Sequence, residues 1–431
     1  MAMAGKTKSV THIPPVRKPD PGIPADPQSI CFPNGVPVYL FPDRLTEIVR
    51  IDLHFDAGIN REILPLQSQF TSLLLPGGTS SMTAAEIDAT FDFYGSFPVF
   101  AADREKAVIQ LYMLPGFFDS ILPMIRDIVT DPVFPEDEFQ MQKEGRLQKY
   151  LINRGKVNYV SLDYFLEALY GQDHPFGRRI LPSHFENITT DDLRRFHSAN
   201  WVGGLLRIAI SGNLSERIIR IAEECFGKTP LSPRKKVNEV TLPEGGQGKK
   251  LKIDKTEAVQ SSIRIGKLTI SFDHPDFAGL KVVDTILGGY FGSRLMQNLR
   301  EDKGYTYNAG SYLTSLQRSG IIAISTEVGS IHTHDAVTQI YREIDKLSET
   351  KVPAGELKLV RPNLLGNLAR QFDGPFNRVD SFLSVVSPGP GLNYFRQLED
   401  RIKSITSDEI KELARTYYRS DNMHEIIAGS T

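Results

Sequence analysis

Alternating and helically spaced hydrophobic residues divide the chain into short strands and helices. Residues 30–42 place Asn34-Gly35 between two short apolar stretches, which predicts a β-hairpin. Residues 49–55 alternate apolar with polar side chains and predict a half-buried strand. The polar face of that strand consists of Arg50, Asp52 and His54. The same reasoning predicts further elements, which are strands at 108–114 and 206–211 and helices at 66–75, 84–93, 117–128, 135–152, 159–169 and 191–198.

Two pairs of segments repeat at nearly the same spacing. Residues 188–196 resemble residues 405–413, an offset of 217 residues (405 − 188), and both begin as capped helices. Residues 133–138 resemble residues 351–356, an offset of 218 residues (356 − 138). Two independent matches at nearly one offset indicate a duplication. We therefore predict an α+β fold of two similar halves, each a mostly antiparallel sheet covered by helices on one face.

Proline and glycine mark the borders between these parts. Residues 229–250 hold three prolines and three glycines among scattered lysines, which is the composition of an interdomain linker. Residues 1–29 are rich in proline and predict an extended N-terminal arm. The predicted domains are therefore residues 30–228 and residues 251–431.

Composition narrows the classes of function. The 431 residues contain 50 Lys and Arg against 52 Asp and Glu, and this formal net charge of −2 disfavours nucleic acid or anionic membranes as partners. The two cysteines, Cys31 and Cys225, exclude a disulfide framework and predict reduced, buried thiols. No secretory signal and no run of about 18 apolar residues occurs, so we expect a cytoplasmic protein without membrane contact.

The histidines do not form the close pairs that a zinc hydrolase requires. Two imidazoles must share one metal ion, and a spacing of one helical turn brings them together. None of the nine histidines stands in a His-x-x-Glu-His or His-Glu-x-x-His pattern. His332-x-His334 is the only close pair, and there we favour a loop over a metal site. The chain also lacks the Gly-x-Ser-x-Gly motif of serine hydrolases and the spacing of a phosphate-binding loop.

A set of short motifs resembles one peptidase family in the order in which the motifs occur. The N-terminal motifs are Ala57-Gly58, Pro76-Gly-Gly-Thr79, Ala84-Ala-Glu-Ile87, Phe134-Pro-Glu-Asp-Glu138, Glu167-Ala-Leu-Tyr-Gly171, His174-Pro-Phe-Gly177 and Ile188-Thr-Thr-Asp-Asp-Leu193. The C-terminal motifs are Ile286-Leu-Gly-Gly289, Gly292-Ser-Arg-Leu295 and Leu299-Arg-Glu-Asp-Lys-Gly-Tyr-Thr-Tyr307. Together they resemble the two halves of the insulinase and mitochondrial processing peptidase family (M16). The resemblance agrees with the duplication.

The chain departs from this family at its metal site. Active members carry an inverted His-x-x-Glu-His helix shortly before a Gly-Thr pair, which here is Gly78-Thr79. The corresponding three positions hold Gln69, Ser72 and Leu73. The family's third ligand is a Glu on a later helix, where this chain reads Gln148-Lys149-Tyr150, and a lysine opposes a dication. We predict an ordinary amphipathic helix at 66–75, with no metal site and no cofactor in this chain.

A second pair of family residues is present. M16 members resemble one another in an Arg and a Tyr near the C-terminal Gly-rich turn, and Arg300 and Tyr307 match that pair. The resemblance implies that Arg300 grips a peptide carbonyl or carboxylate and that Tyr307 donates to the oxyanion at a scissile carbonyl. Without the resemblance, Arg300 would only compensate charge at a helix end and Tyr307 would only pack in a strand.

The resemblance leads to two classes of function. In the first, the chain is the non-zinc subunit of a two-chain metallopeptidase and contributes Arg300 and Tyr307 to a zinc-bearing partner that cleaves short unfolded peptides. In the second, it is a non-catalytic structural or peptide-binding homologue. The presence of Arg300 and Tyr307 favours the first. We expect the chain alone to be inactive, with zinc in the partner, and to associate with a zinc-bearing homologue as a heterodimer or with itself.

Overall fold

Two sheets, each with its own helices, make up the described part of the chain. The computed structural model describes residues 19–230, 248–386 and 391–430. Its strands form one six-stranded and one five-stranded sheet, and both are mostly antiparallel. The predicted α+β class with two similar halves is confirmed.

The element bounds are as follows, in chain order. The N-terminal strands are β1 (Gln28–Cys31), β2 (Pro37–Pro42), β3 (Val49–Phe55), β4 (Phe97–Ala102), β5 (Ala107–Met113) and β6 (Leu205–Gly212). The N-terminal helices are α1 (Gln67–Leu74), α2 (Ala84–Tyr94), α3 (Phe118–Thr130), α4 (Glu136–Arg154), α5 (Val157–Tyr170), α6 (Pro182–Asn187), α7 (Thr190–Asn200) and α8 (Glu216–Phe226). The C-terminal strands are β7 (Lys250–Asp254), β8 (Gln260–Thr269), β9 (Ala309–Ser315), β10 (Gly320–Gly329) and β11 (His424–Gly429). The C-terminal helices are α9 (Phe277–Asp284), α10 (Thr333–Glu349), α11 (Ala354–Arg370), α12 (Gly374–Val385), α13 (Asn393–Ser404) and α14 (Ser407–Tyr417), with π-helical segments at Thr285–Gly289 and Met296–Asp302.

The N-terminal sheet has the strand order β1-β2-β6-β3-β5-β4. The predicted hairpin is confirmed, because β1 pairs with β2 across a turn in which Gly35 has a φ of +88°. Helices cover one face of this sheet, where Ile51 and Leu53 of β3 share a buried cluster with Phe70 of α1 and Ile125 of α3. That cluster is the core of the N-terminal half.

The C-terminal sheet repeats this topology. Its order, β7-β11-β8-β10-β9, matches β2-β6-β3-β5-β4, and β7 runs parallel to β11 as β2 runs parallel to β6. The segments that repeat in the sequence also start equivalent helices. Thr189 and Thr406 form capping boxes at α7 and α14, and Pro135 and Pro353 precede α4 and α11. The duplication is therefore visible in both topology and local capping.

Each half places one helix on the sheet of the other half. Helix α5 packs on β8 and β11, and α12 packs on β2 and β6. The hydroxyls of Tyr170 on α5 and Ser319 beside β10 lie 3.2 Å apart. The ring of Phe382 on α12 meets that of Tyr39 on β2 edge to face at 4.7 Å. This exchange of helices joins the halves through both apolar and polar contacts.

The polar face of β3 is buried, so the prediction of a half-buried strand is wrong. All seven residues of β3 are buried. The Arg50 guanidinium donates two hydrogen bonds of 2.8 Å to Asp52 and also binds Asp380 of α12. Burial, together with nearby Lys106 and other cations, holds the pKa of His54 well below its ordinary value. The covering helix α12 comes from the other half, so the local pattern around β3 does not show it.

Chain segments at the termini and turns also cross between the halves. The Glu105 carboxylate in the β4–β5 turn accepts the Gln317 backbone N–H at 2.8 Å. The Pro24 carbonyl accepts a 2.7 Å hydrogen bond from Arg396 on α13. The predicted arm 1–29 therefore contacts the C-terminal half in its described part. Residues 1–18 of the arm and 231–247 of the predicted linker lie outside the described residues, and both assignments stay predictions.

The expectation of two buried thiols holds for one of the two cysteines. Cys225 is buried, and burial raises the pKa of its thiol to about 11. Cys31 is exposed on β1, so the expected burial of both thiols is wrong for this residue. Among the helices of the described residues, none has the length and apolar character needed to cross a membrane.

Candidate functional site

Helix α1 carries the three positions at which the family has its metal motif. Gln69 is exposed, and Leu73 packs half-buried against the N-terminal core. Ser72 is buried, and its hydroxyl donates to the Ser68 carbonyl one turn earlier at 2.8 Å. These side chains offer no imidazole and no carboxylate, which are the donors that zinc takes in such sites.

Polar contacts fix the start of α1 as a structural element. The amide oxygen of Gln67 accepts two backbone N–H groups of the preceding turn at 3.0 and 2.9 Å, and its amide nitrogen donates to the Asp192 carbonyl. The Ser68 hydroxyl donates to the Ala57 carbonyl at 2.6 Å. The Glu62 carboxylate accepts the Ser68 N–H at 2.9 Å, and burial raises the pKa of Glu62 to about 7. The Glu62 contact satisfies one of the first backbone N–H groups of the helix, and the Gln67 and Ser68 side chains tie the helix to α7 and to the loop after β3.

The position of the family's third ligand lies on α4. Gln148 and Lys149 are exposed there, and the hydroxyl of Tyr150 donates to the Ile180 carbonyl at 2.8 Å. Within residues 19–230, 248–386 and 391–430, no three His, Cys, Asp or Glu side chains lie together as a metal-binding group. The donor chemistry of α1 and α4 therefore does not fit a zinc ion.

We expect the purified chain to hold no stoichiometric zinc. A tight site needs about three or four well-placed ligands, and the family positions supply an amide, a hydroxyl and an aliphatic side chain. Metal analysis by mass spectrometry after mild dialysis measures this directly. One zinc per chain that disappears in a His332→Ala or His334→Ala variant would contradict the expectation and assign a metal site to the histidine pair.

Arg300 lies in the second π-helical segment, Met296–Asp302. Such wide turns are rare and concentrate at functional sites. The buried neighbours Met296 and Leu299 anchor the segment in the C-terminal core. The Arg300 guanidinium lies over the exposed ring of Phe291, 4.4 Å from its centre, and 3.6 Å from the Glu301 carboxylate. The Arg300 guanidinium is therefore held in a defined place, while 32% of the side chain stays exposed.

Tyr307 stands on the loop between this segment and β9, with 91% of its surface exposed. Its neighbour Tyr305 fixes the loop, because the Tyr305 ring stacks on His332 at 4.2 Å and its hydroxyl donates to Asp335 at 2.8 Å. The Thr326 hydroxyl on β10 donates to the Asn308 carbonyl at 3.0 Å. Tyr307 thus projects from a loop that is held on both sides. The expectation that Tyr307 simply packs in a strand does not describe this geometry.

A cavity of about 400 Å³ opens beside this loop, between the first π-helical segment and β9. A Cβ at Gly288 would lie 2.2 Å from the backbone nitrogen of Ser311, so glycine is needed for the segment to approach β9 so closely. The same turn continues into Phe291, whose ring lies under the Arg300 guanidinium. The Gly-rich turn therefore helps to position Arg300.

Known proteins resemble this chain in sequence. The family described as "Peptidase M16 inactive domain" matches residues 187–364, a range that includes both Arg300 and Tyr307. The "Uncharacterized zinc protease YmxG" of Bacillus subtilis is 24% identical over 339 residues, which cover 78% of this chain and 82% of that protein. Residues 187–364 of this chain therefore resemble the M16 peptidase inactive domain.

Solved structures show the same M16 fold. The crystal structure of a peptidase M16 inactive domain from Pseudomonas fluorescens superposes with a TM-score of 0.84 at 22% identity, covering 94% of this chain and 99% of that one. A mutant of the ferredoxin protease FusC, solved in complex with Arabidopsis ferredoxin, matches with a TM-score of 0.74 at 14% identity. That match covers 99% of this chain and 49% of the FusC chain.

The positions at which M16 peptidases have functional residues lie in two separate parts of the structure. Helix α1 with Leu73 packs in the N-terminal core, whereas Leu299 anchors the Arg300 segment in the separate C-terminal core. The contacts of Phe291 with Arg300 and of Tyr305 with Asp335 were not expected from the sequence. The only available signal was the aromatic content of the stretch 290–307. His332, one of the two closely spaced histidines, stacks on the ring of Tyr305 just before the N-terminus of α10.

Proposed function

We propose that this chain is the non-zinc subunit of a two-chain M16 metallopeptidase that cleaves short unfolded peptides. The observation that carries the proposal is the contrast between the two halves. Tyr307 is almost fully exposed on a fixed loop, while helix α1 has only Gln69, Ser72 and Leu73 where the family has metal ligands. A chain of this kind would supply substrate-binding and oxyanion-binding groups to another subunit.

The chemistry of the pair suits that role. A phenol hydroxyl donates a single directed hydrogen bond, and such a donor acts where negative charge develops on a carbonyl oxygen. The Arg300 guanidinium offers a rigid fork of N–H donors for peptide carbonyls or a carboxylate, and its stacking on Phe291 reduces the freedom lost on binding. Under this proposal, the metal chemistry comes from the zinc-bearing partner.

Extended peptides suit the open edges of this fold. Strand β4 is the outer strand of the N-terminal sheet, and Phe97 and Val99 are exposed on it. The unpaired backbone groups of such an edge can bind a peptide as an added strand. Helix α1 packs beside β4, so a peptide held there lies next to a helix without metal ligands. This supports holding of the substrate by this half without cleavage.

A zinc-bearing homologue is a better partner than a second copy of this chain. In a pair of identical chains, Tyr307 of each would meet an α1 that has no metal ligands. The match to half of the FusC chain fits a two-chain arrangement, because two chains of this size would bring together a comparable length. A cytoplasmic location remains part of the proposal.

The second candidate is a structural or peptide-binding homologue without a catalytic partner. The description of the matching family as an inactive domain favours it, as does the tight packing of α1. Only the exposure and fixed placement of Tyr307 remain without a purpose under this alternative.

Copurification from the native host separates the two candidates. We expect a tagged copy of the chain to carry with it, at about equal amounts, an M16 homologue with an intact His-x-x-Glu-His helix, identified by mass spectrometry. The tag expressed without the chain is the control. Recovery of the chain by itself, or only with further copies of itself, would contradict the two-chain proposal and favour the structural alternative.

A further inference from the structure

The cavity between the first π-helical segment and β9 has aromatic walls. Its volume of about 400 Å³ is within the range of roughly 300–1,000 Å³ for sites that take small ligands. Tyr290 and Phe291 line it from the Gly-rich turn, and Tyr312 lines it from β9. Phe291 is 64% exposed and Tyr312 is 50% exposed, so much of their ring surface meets solvent in the free chain. Aromatic surface around a cavity is typical of binding sites.

Glycines make room for the two tyrosine rings. A Cβ at Gly292 would lie 2.8 Å from the ring of Tyr290, and a Cβ at Gly310 would lie 2.7 Å from the hydroxyl of Tyr312. Each ring therefore lies directly against a stretch of backbone without a side chain. This close packing limits the orientations of the rings, and groups that are already ordered lose little freedom when they bind a ligand.

The charges at the base of the cavity already have partners. The buried carboxylate of Asp284 accepts the Ser311 hydroxyl at 2.5 Å and the Leu313 N–H at 3.2 Å. It also accepts the Tyr418 hydroxyl at 3.2 Å and lies 3.8 Å from the ammonium of Lys281. Lys281 and Asp284 are the only charged side chains among the described residues that line the cavity. A charged ligand would therefore lose its hydration without meeting a free counter-ion, which favours an uncharged one.

The cavity suits a side chain better than an added strand. The Leu313 N–H on the outer edge of β9 donates to Asp284, and the Ala309 N–H donates to the Met296 sulfur at 3.3 Å. A peptide that extends a sheet needs such edge N–H groups to be free. These two are used within the chain, so the aromatic walls are what the cavity offers to a ligand.

We infer that this cavity binds an uncharged aromatic side chain of a peptide. Its three rings can meet the ring of a ligand edge to face or in an offset stack, and such contacts add to the gain from burying apolar surface. The inference rests on the proposed function only for the peptide as the source of the ring, and it names peptides with an aromatic residue as the substrate class. Asn308, the neighbour of Tyr307, also lines the cavity, so the cavity and Tyr307 share one loop.

Binding of short peptides to the isolated chain tests the inference without a second subunit. The probes are acetyl-Ala-Ala-Phe-Ala-Ala-amide and the two peptides that have Ala or Lys in place of Phe. We expect the Phe peptide to bind about tenfold more tightly than the Ala peptide, because only its ring can fill the space between the aromatic walls. We expect the Lys peptide to gain nothing over the Ala peptide. NMR titration measures the three Kd values.

Variants at Tyr312 locate the binding. Tyr312→Ala should weaken binding of the Phe peptide by about tenfold, and Tyr312→Phe, which keeps the ring, should recover most of that loss. The matched control is Phe93→Ala, which removes an 82% exposed ring from α2 in the other half and should leave the Kd unchanged. Thermal unfolding of each variant shows whether its fold is intact.

The outcomes separate this inference from the proposed function. If the wild-type chain binds the Phe peptide no more tightly than the Ala peptide, or if a folded Tyr312→Ala variant binds it as tightly as the wild type, the inference is overturned. Tightest binding of the Lys peptide would overturn it as well and assign the cavity to cations. If the Phe peptide binds as expected but no zinc-bearing homologue copurifies with the chain, the proposed function fails while the aromatic site stands.

Discussion

The Tyr307→Phe variant should assemble with its partner normally and turn over peptide about 10²–10³-fold more slowly, which is roughly 3–4 kcal/mol in the barrier. The reason is that the phenol hydroxyl would donate to an oxyanion that exists only as the reaction proceeds. Its removal therefore affects kcat more than binding. Because Tyr307 is almost fully exposed in the free chain, the substitution should not alter the stability of the fold. Steady-state kinetics of the purified two-chain complex measures the effect.

Two companion variants make that result specific. Tyr94→Phe removes a phenol hydroxyl from α2 in the other half and should leave kcat unchanged. Arg300→Ala should act mainly on KM, because a grip on the substrate backbone is made in both the ground state and the transition state. A Tyr307→Phe complex with wild-type turnover and wild-type stoichiometry would contradict the donated role and leave the structural alternative.

The Arg50→Ala variant should lower the free energy of unfolding by about 3–5 kcal/mol, because it leaves Asp52 buried without its cation. Arg50 and Asp52 are 2% and 1% exposed, and Arg50 also joins β3 to Asp380 on α12 of the other half. The loss should therefore weaken the contact between the halves as well as the N-terminal sheet. Urea denaturation monitored by circular dichroism gives the change.

The partners of Arg50 provide the controls. Asp380 is 58% exposed, so Asp380→Asn should cost far less than Arg50→Ala. The double variant Arg50→Met/Asp52→Leu replaces the buried pair with apolar side chains and should recover much of the stability. A loss in Arg50→Ala no larger than in Asp380→Asn would show that the buried pair is not a main stabilising contact.

Local signals in the sequence predicted the elements that are formed by local interactions. Asn34-Gly35 specifies its hairpin through glycine at a positive φ, and the helices after Thr189 and Thr406 begin with capping boxes. The duplication followed from the same capped segments and agrees with the shared strand order. The hairpin and the helix starts can be predicted without knowing which distant parts of the chain pack against them.

Elements that depend on the other half could not be predicted in this way. The polar residues of β3 are typical of a solvent-facing strand, yet all of them are buried, and α12 of the other half binds Arg50 through Asp380. Strand β4 gave no alternating signal, because Phe97-Pro98-Val99-Phe100 is apolar throughout and lies at an edge with Phe97 and Val99 exposed. Burial of Arg50 on β3 depends on α12, which is distant in sequence.

The candidate site divides in a similar way. The resemblance located the family's metal positions at Gln69, Ser72 and Leu73, whose side chains are not zinc ligands, and the contacts of α1 agree with a structural helix. Arg300 and Tyr307 were found only through the resemblance to M16 peptidases. The Arg300 guanidinium lies over the Phe291 ring, and Tyr305 fixes the loop that carries Tyr307. These contacts depend on where the side chains lie in three dimensions, which the spacing of residues in the sequence does not show.

Peptide hydrolysis by the separate and mixed chains tests the central claim most directly. A quenched fluorescent peptide library is incubated with this chain, with the purified zinc-bearing homologue, and with an equimolar mixture of the two. The two-chain account predicts cleavage that is chelator-sensitive and appears only, or far more strongly, in the mixture. Equal cleavage by the zinc-bearing homologue alone and by the mixture, or chelator-sensitive cleavage by this chain alone, would contradict it.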